Sequence, residues 1–195
     1  MRIRQIVPSL ELQHGGPSRS VQALARAQAH LGSQVELFAT EPSAPQAGRE
    51  SSDGPLRIRV LRRDTPDRVC PSAGLKQALL TGDCDIVHHH ALWLRTLHYA
   101  HHAARLHRAP LVVSPRGMMA PWAWNHHGLR KAVAALILHP GAFRAVSGWH
   151  ATSEQEAKDI AALGFRQPVC VAPNGVTAPS QESLGEARRH WLERL

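Results

Sequence analysis

Short apolar runs alternate with amphipathic helical segments along nearly the whole chain of 195 residues. The apolar runs have the length of strands, and glycine or proline separates many of them from the helical segments. This alternation predicts parallel strand pairing, because each helix carries the chain back across one face of the sheet. The sequence therefore predicts an α/β fold with a Rossmann-like, doubly wound and mainly parallel sheet that has helices on both faces.

The predicted strands cover residues 2–8, 35–40, 56–61, 86–89, 111–114 and 169–172, and a further short strand ends at His150 and Ala151. Between them we predict helices that follow Gly16, cover residues 72–80 and 129–138, carry Leu94, Leu97 and Ala104 on one face, and begin at Ser153. Residues 41–55 are rich in proline, serine and charge and are interpreted as a surface loop. Residues 115–127 are interpreted as irregular.

Two of the helices have recognisable ends. Pro17 and Ser18 suit the first turn and the cap of the first helix, whose buried face would carry Val21, Leu24, Ala25 and Leu31 and which would stop at Gly32. Ser153 and Glu156 match a capping box, in which each side chain satisfies a backbone donor of the other residue. The buried face of that helix would carry Ala157, Ile160 and Ala161, and Gly164 would end it.

The composition limits the compartment and the partners. The chain has no apolar run of transmembrane length, and its first residues are too short and too interrupted for a signal-peptide core. Its three cysteines are an odd number without a C-x-x-C pair, which favours reduced thiols in the cytoplasm. The net charge of +8 suits nucleic acid, anionic lipid or phosphorylated substrates. The arginines are scattered and no nucleic-acid motif is present, so we do not expect nucleic acid as a partner.

A glycine turn, His14-Gly15-Gly16-Pro17-Ser18, follows the first strand and opens a helix. Backbone N–H groups at a helix N-terminus bind anions, and glycine lets a phosphate or a sugar approach the backbone. The dinucleotide pattern G-x-G-x-x-G is absent, so the alternative is a plain turn.

Three consecutive histidines end a later strand. Neighbouring strand residues face opposite ways, so His88 and His90 should lie on one face and His89 on the other, and we expect no metal site. His90 ends the strand, where such sheets bind ligands, whereas His88 and His89 are interpreted as structural. The pairs His101-His102 and His126-His127 are interpreted as solvated.

The loop after residues 111–114 carries Arg116, which can pair with a phosphate or a carboxylate through two parallel hydrogen bonds. The alternative is an ordinary surface arginine. Trp122 and Trp124 follow in the same loop with Met118 and Met119. These aromatic rings would stack on sugar, face lipid, or pack the loop onto the core.

Five motifs together resemble the N-terminal domain of family 4 glycosyltransferases with the GT-B fold. They are His14-Gly15-Gly16-Pro17-Ser18, Asp85 to His90, Ser114-Pro115-Arg116-Gly117-Met118, Ala151-Thr152-Ser153-Glu154 and Pro173-Asn174-Gly175-Val176. The resemblance covers roughly residues 2–178. It implies retaining transfer of a sugar from a nucleotide donor, without a metal or another cofactor, in a cleft between an acceptor-holding and a nucleotide-binding domain.

The resemblance also implies roles for individual residues. Gly15 and Gly16 would approach the phosphate or the sugar of the donor, His90 would be the catalytic residue beside the transferred sugar, and Arg116 would line the acceptor side. Ser18, Trp122 and Asn174 complete the predicted substrate-binding set. Metal ligands are not expected.

The chain departs from the family pattern in its last residues. The family has two glutamates separated by seven residues in its C-terminal domain, whereas Glu186 and Glu193 have six residues between them. We therefore expect a domain over residues 1–178 and a linker helix over residues 179–195 that leads toward an absent donor-binding domain. The chain would be a fragment or one subunit of a split enzyme, and inactive alone.

The expected role is assembly of a surface polysaccharide or glycolipid. The basic charge and the tryptophans would suit an acceptor at the inner face of the membrane, with the protein cytoplasmic or peripheral. A non-enzymatic module that binds a sugar phosphate or a protein partner is the alternative interpretation.

Overall fold

The computed structural model describes residues 1–11, 16–125, 141–175 and 181–192. Within these ranges the chain forms one sheet of eight strands in the order β3-β4-β2-β1-β5-β6-β7-β8. The strands are β1 (Arg2–Ile6), β2 (Gln34–Glu41), β3 (Arg49–Asp53), β4 (Leu56–Arg62), β5 (Ile86–His90), β6 (Leu111–Ser114), β7 (Gly148–Ala151) and β8 (Val169–Val171). The helices are α1 (Gly16–His30), α2 (Ala73–Leu79), α3 (Arg95–His107), α4 (Pro121–Asn125), α5 (Glu154–Ala162) and α6 (Gln181–Leu192).

Every pair of neighbouring strands is parallel except β3 and β4. The chain begins at the centre of the sheet with β1, builds outward through β2 and β4, and then returns to the other side of β1 with β5. The order therefore reverses between β1 and β5, which is the place where open parallel sheets bind ligands. The predicted fold class is confirmed.

Helices cover both faces of the sheet. On one face α1 buries Val21, Ala25 and Ala29 against apolar residues of β1 and β2. On the other face α2 and α3 bury Leu75, Leu79 and Leu97 in a larger core that extends to Trp149 and Ile160. Because both faces are covered, the central strands β1 and β5 are buried along most of their length, including polar residues such as Gln5 and His89.

Helix ends explain two successes and several errors of the sequence reading. Ser72 and Ser153 cap α2 and α5, each accepting a backbone N–H at 3.1 Å from the residue three positions later. The cap predicted at Ser18 is wrong, because α1 already includes Gly16 and Ser18 is buried in its first turn. The predicted buried faces also need correction: Leu31 lies beyond the end of α1 and is 86% exposed, and Ala161 is exposed on α5.

Two irregular regions of the sequence contain structure. Residues 41–55 include β3, whose five side chains are all exposed and so give no apolar alternation. Pairing with β4 and an ion pair of 3.1 Å between Arg57 and Glu50 hold that strand in place. Residues 115–127 include the short helix α4.

The helix predicted over residues 129–138 lies outside the described residues, and the predicted tail helix is present as α6. Among the helices that the structure describes, each is too short or too polar to cross a membrane.

Candidate functional site at the carboxyl end of the sheet

The parallel strands all end at one side of the sheet, which we call the carboxyl end. A cleft of about 330 Å³ opens there between the residues that follow β1, β4, β5 and β6 and the first turn of α1. We call it the carboxyl cleft, and it is lined by Ser9, Ser18, Arg63, Arg68, His90 and Arg116, among others.

Three of the predicted site residues contact one another beside this cleft. Arg116 Nη2 donates to His90 Nδ1 at 3.0 Å, and Arg116 Nη1 donates to Asn174 Oδ1. These residues come from the ends of β5, β6 and β8, and 84 positions separate the first from the last. The convergence follows from the parallel topology, which gathers the strand ends at one edge.

Hydrogen bonds fix the protonation state of His90. Gln5 Nε2 donates to Gln28 Oε1 at 2.6 Å, which leaves Gln5 Oε1 as the acceptor that faces His90 Nε2. His90 therefore carries its proton on Nε2, and its Nδ1 lone pair accepts from Arg116. Burial first, and then the neighbouring His88 and Arg116, hold the pKa of His90 well below its ordinary value. The ring is thus neutral at physiological pH.

A second hydrogen-bonded chain runs through His88. His150 Nε2 lies 2.9 Å from the carbonyl oxygen of Ala172, which can only accept, so His150 is protonated on Nε2. Ser114 then donates to His150 Nδ1 at 2.8 Å and accepts from His88 Nε2 at 2.8 Å. Burial, and then the nearby His150, lower the pKa of His88 well below its ordinary value.

The histidine run has the predicted alternation. The rings of His88 and His90 lie on one face with their centroids 4.1 Å apart. His89 points to the other face, where its ring nitrogens contact the carbonyl of Ala91 and the hydroxyl of Thr96. Within the described ranges, no three potential ligand side chains are grouped to hold a metal ion.

The other histidines and the cysteines fill supporting positions. His101 is partly buried, and burial lowers its pKa, so the prediction that it is fully solvated is wrong, whereas His102 is exposed. The pair His126-His127 lies outside the described residues. The thiols of Cys70 and Cys84 are buried and free, burial raises their pKa, and Cys170 is exposed and free.

The backbone is left-handed at several positions around the cleft. Ala91, Trp93 and Arg116 have φ values of 106°, 63° and 56°, although none of them is glycine. Such conformations cost about 1–3 kcal/mol each and persist only where the surrounding structure enforces them. Here they turn the chain sharply after β5 and β6, which places the Arg116 side chain against His90.

Glu156 holds the Arg116 loop in place, a role that the sequence analysis missed. Its carboxylate accepts hydrogen bonds from Gly117 N at 2.7 Å, Thr152 N at 2.6 Å and Thr152 Oγ1 at 2.8 Å. The predicted capping box is therefore only half formed, because Glu156 reaches Thr152 and Gly117 instead of the Ser153 backbone. The signal was its position three residues after the cap, but the partner 39 positions away was not readable.

Arg63 holds the opposite wall of the cleft and was also missed. Its side chain is only 2% exposed and donates to Thr40 Oγ1 and O, to the carbonyl of Pro8, and to Asp67 Oδ1 at 2.8 Å. It thereby ties the loop after β1 to the end of β2 and to the 3₁₀ turn Asp67–Val69. No short-range pattern in the sequence marks Arg63 as a buried side chain.

The structure describes the glycine turn only from Gly16 onward. Gly15 lies outside the described residues. Gly16 is exposed, and a Cβ added there would meet no protein atom within 4 Å. Ser18 and Pro17 line the carboxyl cleft from the first turn of α1. The first turn of that helix therefore directs its N-terminal end toward the predicted ligand edge.

The two tryptophans of α4 behave differently. Trp122 is 78% exposed and lies outside the set of residues that line the carboxyl cleft. Trp124 packs on the core, and its ring centroid lies 5.0 Å from that of Trp93. Of the alternatives for this loop, packing therefore applies to Trp124, and Trp122 remains open to solvent.

The fold is that of the N-terminal half of a GT-B glycosyltransferase, as two solved structures from cyanobacteria show. The chain matches the model of Glycosyltransferase Family 4 over residues 14–178, which is most of its length, and it belongs to that family. No curated protein sequence matches the chain.

Three solved structures illustrate the likeness. Anabaena Alr3699/HepE in complex with UDP has a TM-score of 0.60 and 16% identity, and its complex with UDP-glucose has 0.62 and 17%; the match covers 98% of this chain and 50% of that one in both cases. Sucrose-phosphate synthase from Thermosynechococcus elongatus has a TM-score of 0.62 and 14% identity, with 96% of this chain and 53% of that chain covered. The chain thus spans about half the length of these structures.

Proposed function

We propose that this chain is the acceptor-holding half of a retaining glycosyltransferase that uses a nucleotide-sugar donor and needs no metal or other cofactor. The contact of Arg116 with both His90 and Asn174, beside a cleft at the carboxyl end of the sheet, carries the proposal. UDP-sugars are the proposed donors, because the similar Anabaena structures contain UDP and UDP-glucose.

The chemistry requires stabilisation of a leaving nucleoside diphosphate. Negative charge grows on its phosphate oxygens as the bond to the sugar breaks, and fixed N–H donors and cations lower the energy of that state. The residues proposed for this task are Gly16 at the start of α1, Gly15 before it in the sequence, and Ser18 in the first turn of that helix. Arg116, whose guanidinium His90 and Asn174 hold in place, is instead proposed to line the acceptor side of the site.

His90 is proposed to contact the transferred sugar. Both of its ring nitrogens are engaged in this structure, with Gln5 and with Arg116, so a sugar hydroxyl would have to exchange with one of these partners. A neutral ring can both donate and accept a hydrogen bond, whereas a charged one can only donate. The low pKa of His90 is therefore consistent with a role as a hydrogen-bonding contact.

The acceptor is proposed to occupy the carboxyl cleft. Asn174 and Trp122 stand further out, where Asn174 bonds Arg116 and Trp122 offers an exposed ring for a sugar or a lipid surface. We propose a role in surface polysaccharide or glycolipid assembly, with the protein cytoplasmic or peripheral on the inner face of the membrane. The net charge of +8 would favour an anionic membrane surface.

The proposed domain spans residues 1–178, and residues 179–195 would link it to a donor-binding half. That half would be supplied by the same polypeptide or by a second chain. The support is that the solved structures are about twice as long as the matched region.

An experiment with two arms tests the proposal. The 195-residue chain, alone and fused to the donor-binding half of the Anabaena protein, is incubated with a panel of nucleotide sugars and with lipid and oligosaccharide acceptors. We expect transfer by the fusion only, with an α-linked product from an α-linked donor, as NMR of the product would show. A β-linked product would refute retention, and no transfer from any donor would favour a non-enzymatic binding module.

A further inference from the structure

We propose that the acceptor is anionic, a sugar that carries a phosphate or a carboxylate, and that Arg68 at the rim of the carboxyl cleft binds its charge. The inference rests on the proposed function, since it names the class of acceptor for the same cleft. It follows from which of the arginines that line the cleft already form ion pairs with carboxylates.

Arg63 is the first of three arginines that line the cleft, and its charge is already compensated. It forms an ion pair with Asp67 at 2.8 Å and lies 3.8 Å from Glu11, and its other N–H groups donate to Thr40 and Pro8. Because the N–H donors and the charge of this buried guanidinium already have partners, it is poorly suited to bind a ligand. Arg63 is therefore a structural element of the cleft wall.

Arg116 is the second arginine, and it retains binding capacity. Its hydrogen-bond partners, His90 and Asn174, are neutral, and the nearby Glu156 carboxylate acts on it through space without forming an ion pair in the described part of the chain. Its Nε–H is buried without an acceptor among the described residues. A positive charge held by neutral partners makes the inner part of the cleft attractive to an anion.

Arg68 is the third arginine, and it is exposed where it lines the cleft. Among the residues that the structure describes, none forms an ion pair or hydrogen bond with its side chain. Its backbone is nevertheless well held, because it occupies the centre of the 3₁₀ turn Asp67–Val69, which Arg63 anchors through Asp67. An exposed guanidinium on an anchored turn loses less entropy on binding than one on a loose loop.

The charge balance of the cleft sets the class of ligand. Two guanidiniums that form no ion pair with any described residue, Arg68 and Arg116, line a space of about 330 Å³, enough for one sugar with a charged group. A neutral sugar would leave both cations without a counter-charge. An anionic group fits because guanidinium binds phosphate and carboxylate through paired hydrogen bonds.

Direct binding to the 195-residue chain tests the inference without any donor. Glucose 6-phosphate, glucuronate, glucose and inorganic phosphate are titrated separately while amide signals are followed by NMR. We expect the two anionic sugars to shift signals of Cys70 and Ala91 in the cleft, with affinities about tenfold above that of glucose. The relative affinity of phosphate and carboxylate sugars then identifies the anion.

Two variants locate the charge. Arg68→Ala should weaken both anionic sugars about tenfold and leave glucose unchanged. Arg105→Ala removes an exposed arginine on α3, away from the cleft, and should change nothing. The inference would be overturned if the anionic sugars did not bind, or if they bound no more tightly than glucose. It would also be overturned if the two variants had equal effects, or if inorganic phosphate bound as tightly as glucose 6-phosphate. Because no transfer is measured, these outcomes are separate from a failure of the proposed glycosyl transfer.

Discussion

The two ends of the sheet both carry arginines and a cavity, but they use their charges differently. At the amino end, where the parallel strands begin, a cavity of about 530 Å³ is lined by Arg2, Arg4, Arg57 and Arg59. Each of these forms an ion pair with a carboxylate, as with Asp85 at 2.8 Å and Glu36 at 3.2 Å. At the carboxyl end, Arg68 and Arg116 have no such partner among the described residues.

The backbone differs in the same way. Beside the carboxyl cleft, Ala91 and Arg116 are left-handed although neither is a glycine or the residue that ends a helix. At the other end Arg108 is left-handed only as the residue that terminates α3. Neither the number of arginines nor the size of a cavity identifies the site. The candidate site is distinguished by guanidiniums that form no ion pair and by left-handed backbone, because both raise the free energy of the folded chain and a bound ligand can offset that increase.

The largest expected effects come from two buried arginines, one at each end. Arg4 and Arg63 have side chains 3% and 2% exposed, and each donates to backbone carbonyls and to a carboxylate. Either change to Ala should lower the free energy of unfolding by about 3 kcal/mol, because several charge-assisted hydrogen bonds are lost. Denaturant titration measures this. Only Arg63→Ala should also weaken acceptor binding, and equal binding losses would remove the distinction between the two ends.

Two glutamates give the next comparison. Glu156→Ala should lower the free energy of unfolding by about 2 kcal/mol, since it leaves three partly buried hydrogen-bond donors of Gly117 and Thr152 without an acceptor. Glu50→Ala at the amino end removes exposed ion pairs with Arg57 and Arg59 and should cost less than about 1 kcal/mol. Denaturant titration of both variants is the measurement, and equal costs would mean that Glu156 does not anchor the Arg116 loop.

Acid should affect the two ends over different pH ranges. Burial depresses the pKa of His88 and His90. Below about pH 6.5 these two histidines therefore bind protons in the unfolded chain but stay neutral in the folded chain. Their contribution to the free energy of unfolding is complete above that pH and is lost as the pH falls, with a slope on the order of 1 kcal/mol per histidine and pH unit. Unfolding measured between pH 7.5 and 5.5 should show this slope, and His88→Gln should reduce it.

The amino end should respond only in more acidic solution. The Arg2 backbone N–H, and then its guanidinium, hold the pKa of Asp85 below its ordinary value. A depressed carboxyl pKa gives stability that is present above that ordinary value and lost as the pH falls further. Asp85→Asn should therefore leave the slope between pH 7.5 and 5.5 unchanged. A change in that range would contradict the separation of the two ends.

The fold could be predicted because its signals are local. Apolar strands, a serine cap at Ser153 and a glycine stop at Gly164 each act within a few residues. Errors arose where tertiary pairing overrides local pattern. Strand β3 has no buried residue and exists through its pairing with β4, and Ser18 lies within a helix that begins earlier than the cap pattern indicates.

The position of the candidate site in the fold could be predicted in part, for a topological reason. Parallel strands place the residues after β5, β6 and β8 together, so the meeting of His90, Arg116 and Asn174 could be expected from strand order. The supporting residues could not be found in this way. Glu156 and Arg63 act on loops 39 and 55 positions away, and no short-range pattern reveals such partners.

The most direct test compares the two ends of the sheet in the fusion with the half of the Anabaena protein that this chain does not match. His90→Ala and Arg116→Ala change the carboxyl end, and Arg57→Ala and Arg59→Ala change the amino end; kcat/KM for glycosyl transfer is measured for each. The account predicts losses of about 30-fold to 1,000-fold for His90→Ala, a smaller loss through KM for Arg116→Ala, and less than about threefold for the amino-end variants. Losses at the amino end as large as that of His90→Ala would contradict the placement of the active site.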